Sequence, residues 1–212
     1  MSPSRPPLLA ALLALLAPAA AWGDPPASLD QTMERYFHGE RDEGYAWMAA
    51  GDASLVAGGA LLAQGSGIAR GLSYPLLAVG AIQLVAGLSS LARSDGRLDD
   101  LRRRSALDPR AVREGEGKRI ERLNFLFKVI RYTEYSLLGL GAVGAAVGAG
   151  IREDQLLGAG LGLAEEAALM LTLDHFAEQR AHRYGAGLGR LAVAIEPGPE
   201  GTALLLGFGR RF

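Results

Sequence analysis

Two adjacent carboxylates, Glu165 and Glu166, stand in an otherwise apolar stretch, Leu156 to Leu173. A carboxylate in the middle of a membrane span is costly, and by default it marks an ion pathway, a partner or a protonated side chain. Gln83 is the most polar member of a second stretch, Gly71 to Ala92, which carries no charge. Its amide can donate to a carboxylate or accept from a carboxylic acid, so it suits Glu165 in either protonation state. Asp52 and Glu134 each stand just before a further apolar stretch. These five residues are the candidate ligand or ion-pathway positions. Glu166, about 100° round the helix from Glu165, is expected to meet a headgroup, water or a second subunit.

Other chemistry is thin. His175, Glu178 and His182 fall at i, i+3 and i+7, a spacing that can present three metal ligands on one helix face. In so charged a segment it reads as a solvated face, and no metal or other cofactor is expected. His38 sits among Glu40, Arg41, Asp42 and Glu43 and reads as surface. The Gly-Xaa-Gly runs lie inside apolar helices rather than after a strand, so they do not make a nucleotide fingerprint. With no cysteine, thiolate metal sites and cysteine nucleophiles are excluded. A net charge of −1 offers nucleic acid no overall attraction. The chain does not read as an enzyme.

Behind these residues stand four poorly charged stretches. Ser54 to Ala69, Gly71 to Ala92, Ser136 to Ile151 and Leu156 to Leu173 run 16, 22, 16 and 18 residues. A helix needs roughly 20 to cross a bilayer. Glycines at close spacing, such as Gly139, Gly141, Gly144 and Gly148, weaken a soluble helix but let helix backbones approach in a membrane. Gly65-Ser66-Gly67 and Arg152-Glu153-Asp154 join the stretches into two hairpins. Between the hairpins, Arg93 to Tyr135 holds 12 basic and 8 acidic residues. Asp108-Pro109 there is a helix start, with aspartate as N-cap and proline first in the helix. Ile120, Leu123, Phe127 and Ile130 then form one apolar stripe, and no breaker intervenes before Gly150. Ser28 with Gln31 can cap the first hairpin in the same way.

A shift of 82 residues places Ser54-Leu55 on Ser136-Leu137, Gly59 on Gly141, Asp52 on Glu134 and Gln83 on Glu165. It implies a duplicated hairpin, related by a pseudo-twofold axis along the membrane normal. The fold class expected is therefore mainly α: an integral-membrane bundle of two duplicated hairpins, four spans in all, with a charged extramembrane helical segment. Residues 24–104 form the first repeat and 105–185 the second, with its long entry helix.

Residues 1–23 have the three parts of a secretory signal: Arg5, the apolar run Leu8 to Ala17, and small residues after Pro18. At the other end, 186–212 read as a β-hairpin. Leu191, Val193 and Ile195 alternate with small residues, and a Pro-Gly turn precedes Thr202 to Phe208. Phe212 resembles the terminal aromatic of outer-membrane barrel strands, but one hairpin cannot close a barrel. Two rules of orientation conflict, and the signal carries more weight because the charged loop is nearly balanced in sign. Positive-inside counting puts the arginine-rich side in the cytoplasm, and a cleaved signal puts it outside.

The function these features imply is that of a non-enzymatic bacterial cell-envelope protein, in the inner rather than the outer membrane. Its role is structural or partner-binding, with membrane lipid as one partner. Glycine-rich helix faces and the C-terminal hairpin are the expected contacts with a second copy or another envelope protein. The alternative is a small channel or proton-linked transport subunit that uses Glu165 at mid-membrane.

Overall fold

The structure is a computed structural model that describes residues 28–195, except for the side chains of 95 and 192–195. Its elements are four long helices: α1 (Leu29–Gln64), α2 (Gly67–Leu107), α3 (Pro109–Ile151) and α4 (Asp154–Ile195). All four are long and apolar enough to cross a membrane. The proposed signal, 1–23, lies outside the described residues.

Local chemistry sets the helix ends. Ser28 Oγ accepts from the Gln31 N–H at 3.2 Å, and Ser66 Oγ accepts from the Ala69 N–H at 3.3 Å. Gly65 closes α1 at φ 74°, the left-handed region that glycine enters without a Cβ penalty. Asp108 alone separates α2 from α3, and its Oδ1 accepts from the N–H groups of Arg110 and Ala111, each at 3.0 Å. Pro109 follows at the first turn, where its missing N–H costs nothing. The Arg152-Glu153 turn ends α3, with the Glu153 N–H bonded to Gly148 O at 2.8 Å.

The helices run alternately up and down. At 36 to 43 residues each, they are rods of roughly 54–65 Å, about twice a hydrocarbon core. One half, at the two tight turns, exposes large apolar side chains such as Val56, Ile82, Val85, Val143 and Val147. That is an orderly surface for lipid and a poor one for water. In the other half all four helices continue, charged outside, around Met33, Phe37, Leu101, Val112, Ile120, Ala181 and Leu188. The charged half is therefore a four-helix head. It is broader than the single charged rod expected on α3, although α3 starts and stops where expected.

α1 packs on α2 and α3 on α4; α2 and α4 lie parallel in the middle, and α2 and α3 touch only sparsely. The central contact is backbone to backbone. A Cβ on Gly71 would strike Gln155 O and Ala159 N, and one on Gly158 would strike Ile68 O and Leu72 N. These contacts are reciprocal at a spacing of 87 residues. The two turn residues at positive φ, Gly65 and Arg152, are 87 apart as well. The 82-residue shift does not match burial: Asp52 is exposed where Glu134 is buried, and Gly59 faces open space where Gly141 packs on Ala164.

The expected C-terminal hairpin is not found among the described residues. α4 continues to Ile195 because Ala181, Tyr184 and Leu188 form a buried helical stripe into the head. Arg113 Nη1, donating to Leu191 O at 2.8 Å, ties its last turns to α3. Residues 196–212 lie outside the described part. Helices also run through the boundaries drawn at 104/105 and 185/186.

Candidate functional site

Three polar clusters follow one another along the inside of the bundle. The first lies within the apolar half. Gln83 of α2 is 0% exposed and Glu166 of α4 is 2% exposed, and Gln83 Nε2 donates to Glu166 Oε2 at 2.7 Å. Ser54 of α1, also buried, lies beside the same carboxyl group. Gln83 Oε1 is buried without a partner. A polar atom stranded in this way in an apolar interior is expensive.

This pairing corrects the expectation for Glu165, which is exposed. The reason is helical phase. Gly158, Gly162 and Glu166 recur every four residues on the face of α4 that meets α2. Glu165 points away from it. Asp52 is likewise exposed, on α1. Of the five candidates the structure brings together Gln83 and Glu166 only. Ser54 was missed as a site residue, although Gly51, Ser54 and Gly58 form a legible i, i+3, i+7 stripe, buried throughout.

The second cluster lies where the apolar stretches end. Glu134 of α3, the remaining candidate, is buried, with the carboxyl group of Asp174 of α4 as its neighbour. Neighbouring carboxyl groups repel one another when both are ionised. Beside them Arg131 pairs with Glu178, and Arg180 with Glu43. His182 Nε2 lies 3.5 Å from Glu178, and His175 Nε2 lies 2.7 Å from the Gln179 amide.

The third cluster is in the head. Glu116 is 3% exposed. Its Oε2 accepts from Arg119 at 2.7 and 2.8 Å and from the Tyr184 hydroxyl at 3.2 Å, and its Oε1 accepts from Arg97 at 3.3 Å. Tyr184 stacks on Tyr36 at 4.3 Å, and the Arg119 guanidinium lies 5.1 Å from the centre of the Tyr36 ring. One carboxylate thus organises groups from every helix. Burial, with the Glu116 charge next to it, holds the Tyr184 hydroxyl well above the usual phenol range. Burial also raises the Glu40 carboxyl, whose Oε2 has no partner.

Because α2 and α3 splay apart, the head is cleft between them by a groove of about 830 Å³. Arg93, Arg97, Arg104, Arg119 and Arg122 line it, with Asp100, Asp108 and Glu116 as the acids.

Most of the glycine that promised outward contacts is used within the bundle. Gly51, Gly71, Gly141, Gly148, Gly158 and Gly160 all meet neighbouring backbone, whereas Gly59, Gly139 and Gly150 face open space. No protein-family model, curated protein or solved structure matches the chain.

Proposed function

We propose that this chain is a non-enzymatic membrane protein of the bacterial cell envelope, whose spans hold a rigid helical head as a structural or partner-binding platform. The observation that carries this reading is the continuity of the four helices from the apolar half into a head clamped by Glu116. A head fixed in this way keeps its height and orientation over the bilayer without any hinge. The 87-residue reciprocity supports descent from a duplicated hairpin. Photo-crosslinking side chains placed at Arg103 and Glu121, exposed head positions, and at Val143 in the apolar half test it in native membranes. Discrete protein adducts from the head, with only lipid adducts at Val143, are expected. Lipid adducts alone at all three sites would remove the partner-binding role.

A second reading, a proton-linked transport subunit, is favoured by one observation: the Ser54–Gln83–Glu166 cluster inside the spans. It moves the working carboxylate from Glu165 to Glu166. Proton uptake by reconstituted vesicles that is abolished by Glu166→Gln, with assembly intact, would select it over the platform.

A further inference from the structure

We propose that the groove between α2 and α3 is a binding site for one anionic phospholipid, its headgroup among the arginines and its acyl chains along the adjoining apolar faces.

The first argument is charge. Five arginines and three acids line the groove, and the acids are already engaged within the protein. Glu116 accepts from Arg97 and Arg119, Asp100 pairs with Arg104 at 2.7 Å, and Asp108 caps α3. The surplus positive charge falls on Arg93 and Arg122, both exposed. Guanidinium groups hold phosphate oxygens through paired, charge-assisted hydrogen bonds.

The second is position. Arg93 directly follows the uncharged stretch Gly71 to Ala92, so it stands where α2 leaves the apolar layer. Arg122 faces it from the antiparallel α3. A basic pocket between helices at this level is suited to a lipid headgroup.

The third is the continuation of the groove. A helix repeats its face about every 11 and 18 residues. By that rule Ile82 shares the face of Arg93 and Asp100 on α2. Leu126 shares the face of Gly115, and Val129 that of Ala111, on α3. Ile82, Leu126 and Val129 are 65%, 48% and 46% exposed. The wall that is basic in the head therefore becomes apolar toward the bilayer. An amphiphile matches both parts, whereas free phosphate matches only one. The proposal rests on the membrane placement above.

The test is native mass spectrometry of the full chain in detergent, titrated with phosphatidylglycerol or phosphatidylcholine of identical acyl chains. Phosphatidylglycerol should bind as a single retained adduct, in preference to phosphatidylcholine. Arg93→Ala with Arg122→Ala should weaken it by roughly 30-fold, the share of two interfacial arginines, and leave the thermal midpoint unchanged. Arg103→Ala with Lys128→Ala removes the same charge outside the groove and should have little effect. Equal binding of the two lipids, or equal losses in both double variants, would overturn the site. Displacement by inorganic phosphate at similar concentration would also overturn it, by showing that the tail contributes nothing. Resistance of the chain to alkaline carbonate extraction of native membranes reports the membrane placement separately.

Discussion

Gln83 and Glu166, 83 positions apart in sequence, meet through a hydrogen bond of 2.7 Å between two buried side chains on parallel helices. Removing one partner strands the other. Such a loss costs about 1–3 kcal/mol, and hydrogen bonds between membrane helices are worth about 0.6–2 kcal/mol. Glu166→Leu should therefore destabilise the detergent-solubilised bundle by about that amount, and adding Gln83→Leu should recover part of it. Glu165→Leu should be nearly silent. A double-mutant cycle with strictly additive losses, or a larger effect at Glu165, would contradict the pairing.

The central contact between α2 and α4 leaves no room for a methyl group. A Cβ at Gly158 meets the backbone of Ile68 and Leu72, which cannot yield as a flexible side chain can. Gly158→Ala should cost about 1–3 kcal/mol, the usual penalty for overpacking. Gly59→Ala, in open space, should be neutral or should stabilise by up to about 1 kcal/mol through helix propensity. Unfolding titrations in mixed micelles compare the two. Equal effects would mean that the helices are not in backbone contact.

Much of this architecture was legible in the residues, and the failures have a common physical cause. Caps are local chemistry, so Ser28 and Asp108-Pro109 marked helix starts correctly. The four apolar stretches likewise marked four helices. What went astray needed helical phase. Aligning identities such as Ser54 with Ser136 gave a shift of 82, but identity in glycine- and alanine-rich helices says little about which face is buried. The spacing of Gly158, Gly162 and Glu166 held the correct phase for the carboxylate. At the C-terminus, the alternation of Leu191, Val193 and Ile195 spoke for a strand. The stripe through Ala181, Tyr184 and Leu188 prevailed, because it packs on a core assembled by the other helices. The head network joins residues of four helices, and no local pattern announces such a contact.

Glu116 is the hub of that network. Glu116→Ala would leave Arg119, 13% exposed, without its carboxylate and Tyr184 without its acceptor. Breaking a buried pair in this way costs about 3–5 kcal/mol. Tyr184→Phe deletes only one hydrogen bond and should cost about 1 kcal/mol. Chemical denaturation followed by Trp47 fluorescence would measure both. A Glu116→Ala loss no larger than that of Tyr184→Phe would deny Glu116 its organising role.

Glu40 should make the head sensitive to pH. Burial raises its carboxyl above the ordinary value of 4.5, so above that pH the folded chain holds a proton that the unfolded chain has released. Stability then falls as pH rises through the window just above 4.5. Glu40→Gln removes the titration. At about pH 4 variant and parent should be alike, since glutamine matches the protonated acid in shape and charge. Near pH 8 the variant should be more stable, by about 1–3 kcal/mol, as expected for relief of a buried unpaired group. Parallel curves at every pH would show that Glu40 is effectively solvated.

If all four helices cross, both ends of the described chain and the α2–α3 junction lie on one side of the membrane. The chain has no cysteine, so introduced thiols report without background. Ser105→Cys and Gly189→Cys lie in the head, the second at a position with open space around it. Ser66→Cys and Glu153→Cys lie at the two tight turns. An impermeant maleimide applied to intact cells should label one pair and spare the other, and after lysis it should label all four. Labelling of Ser105→Cys and Ser66→Cys from the same side would mean that α2 does not cross. Which pair reacts first also decides between the two orientation rules: outside labelling of the head sides with the secretory signal, and protection of the head sides with its arginine content.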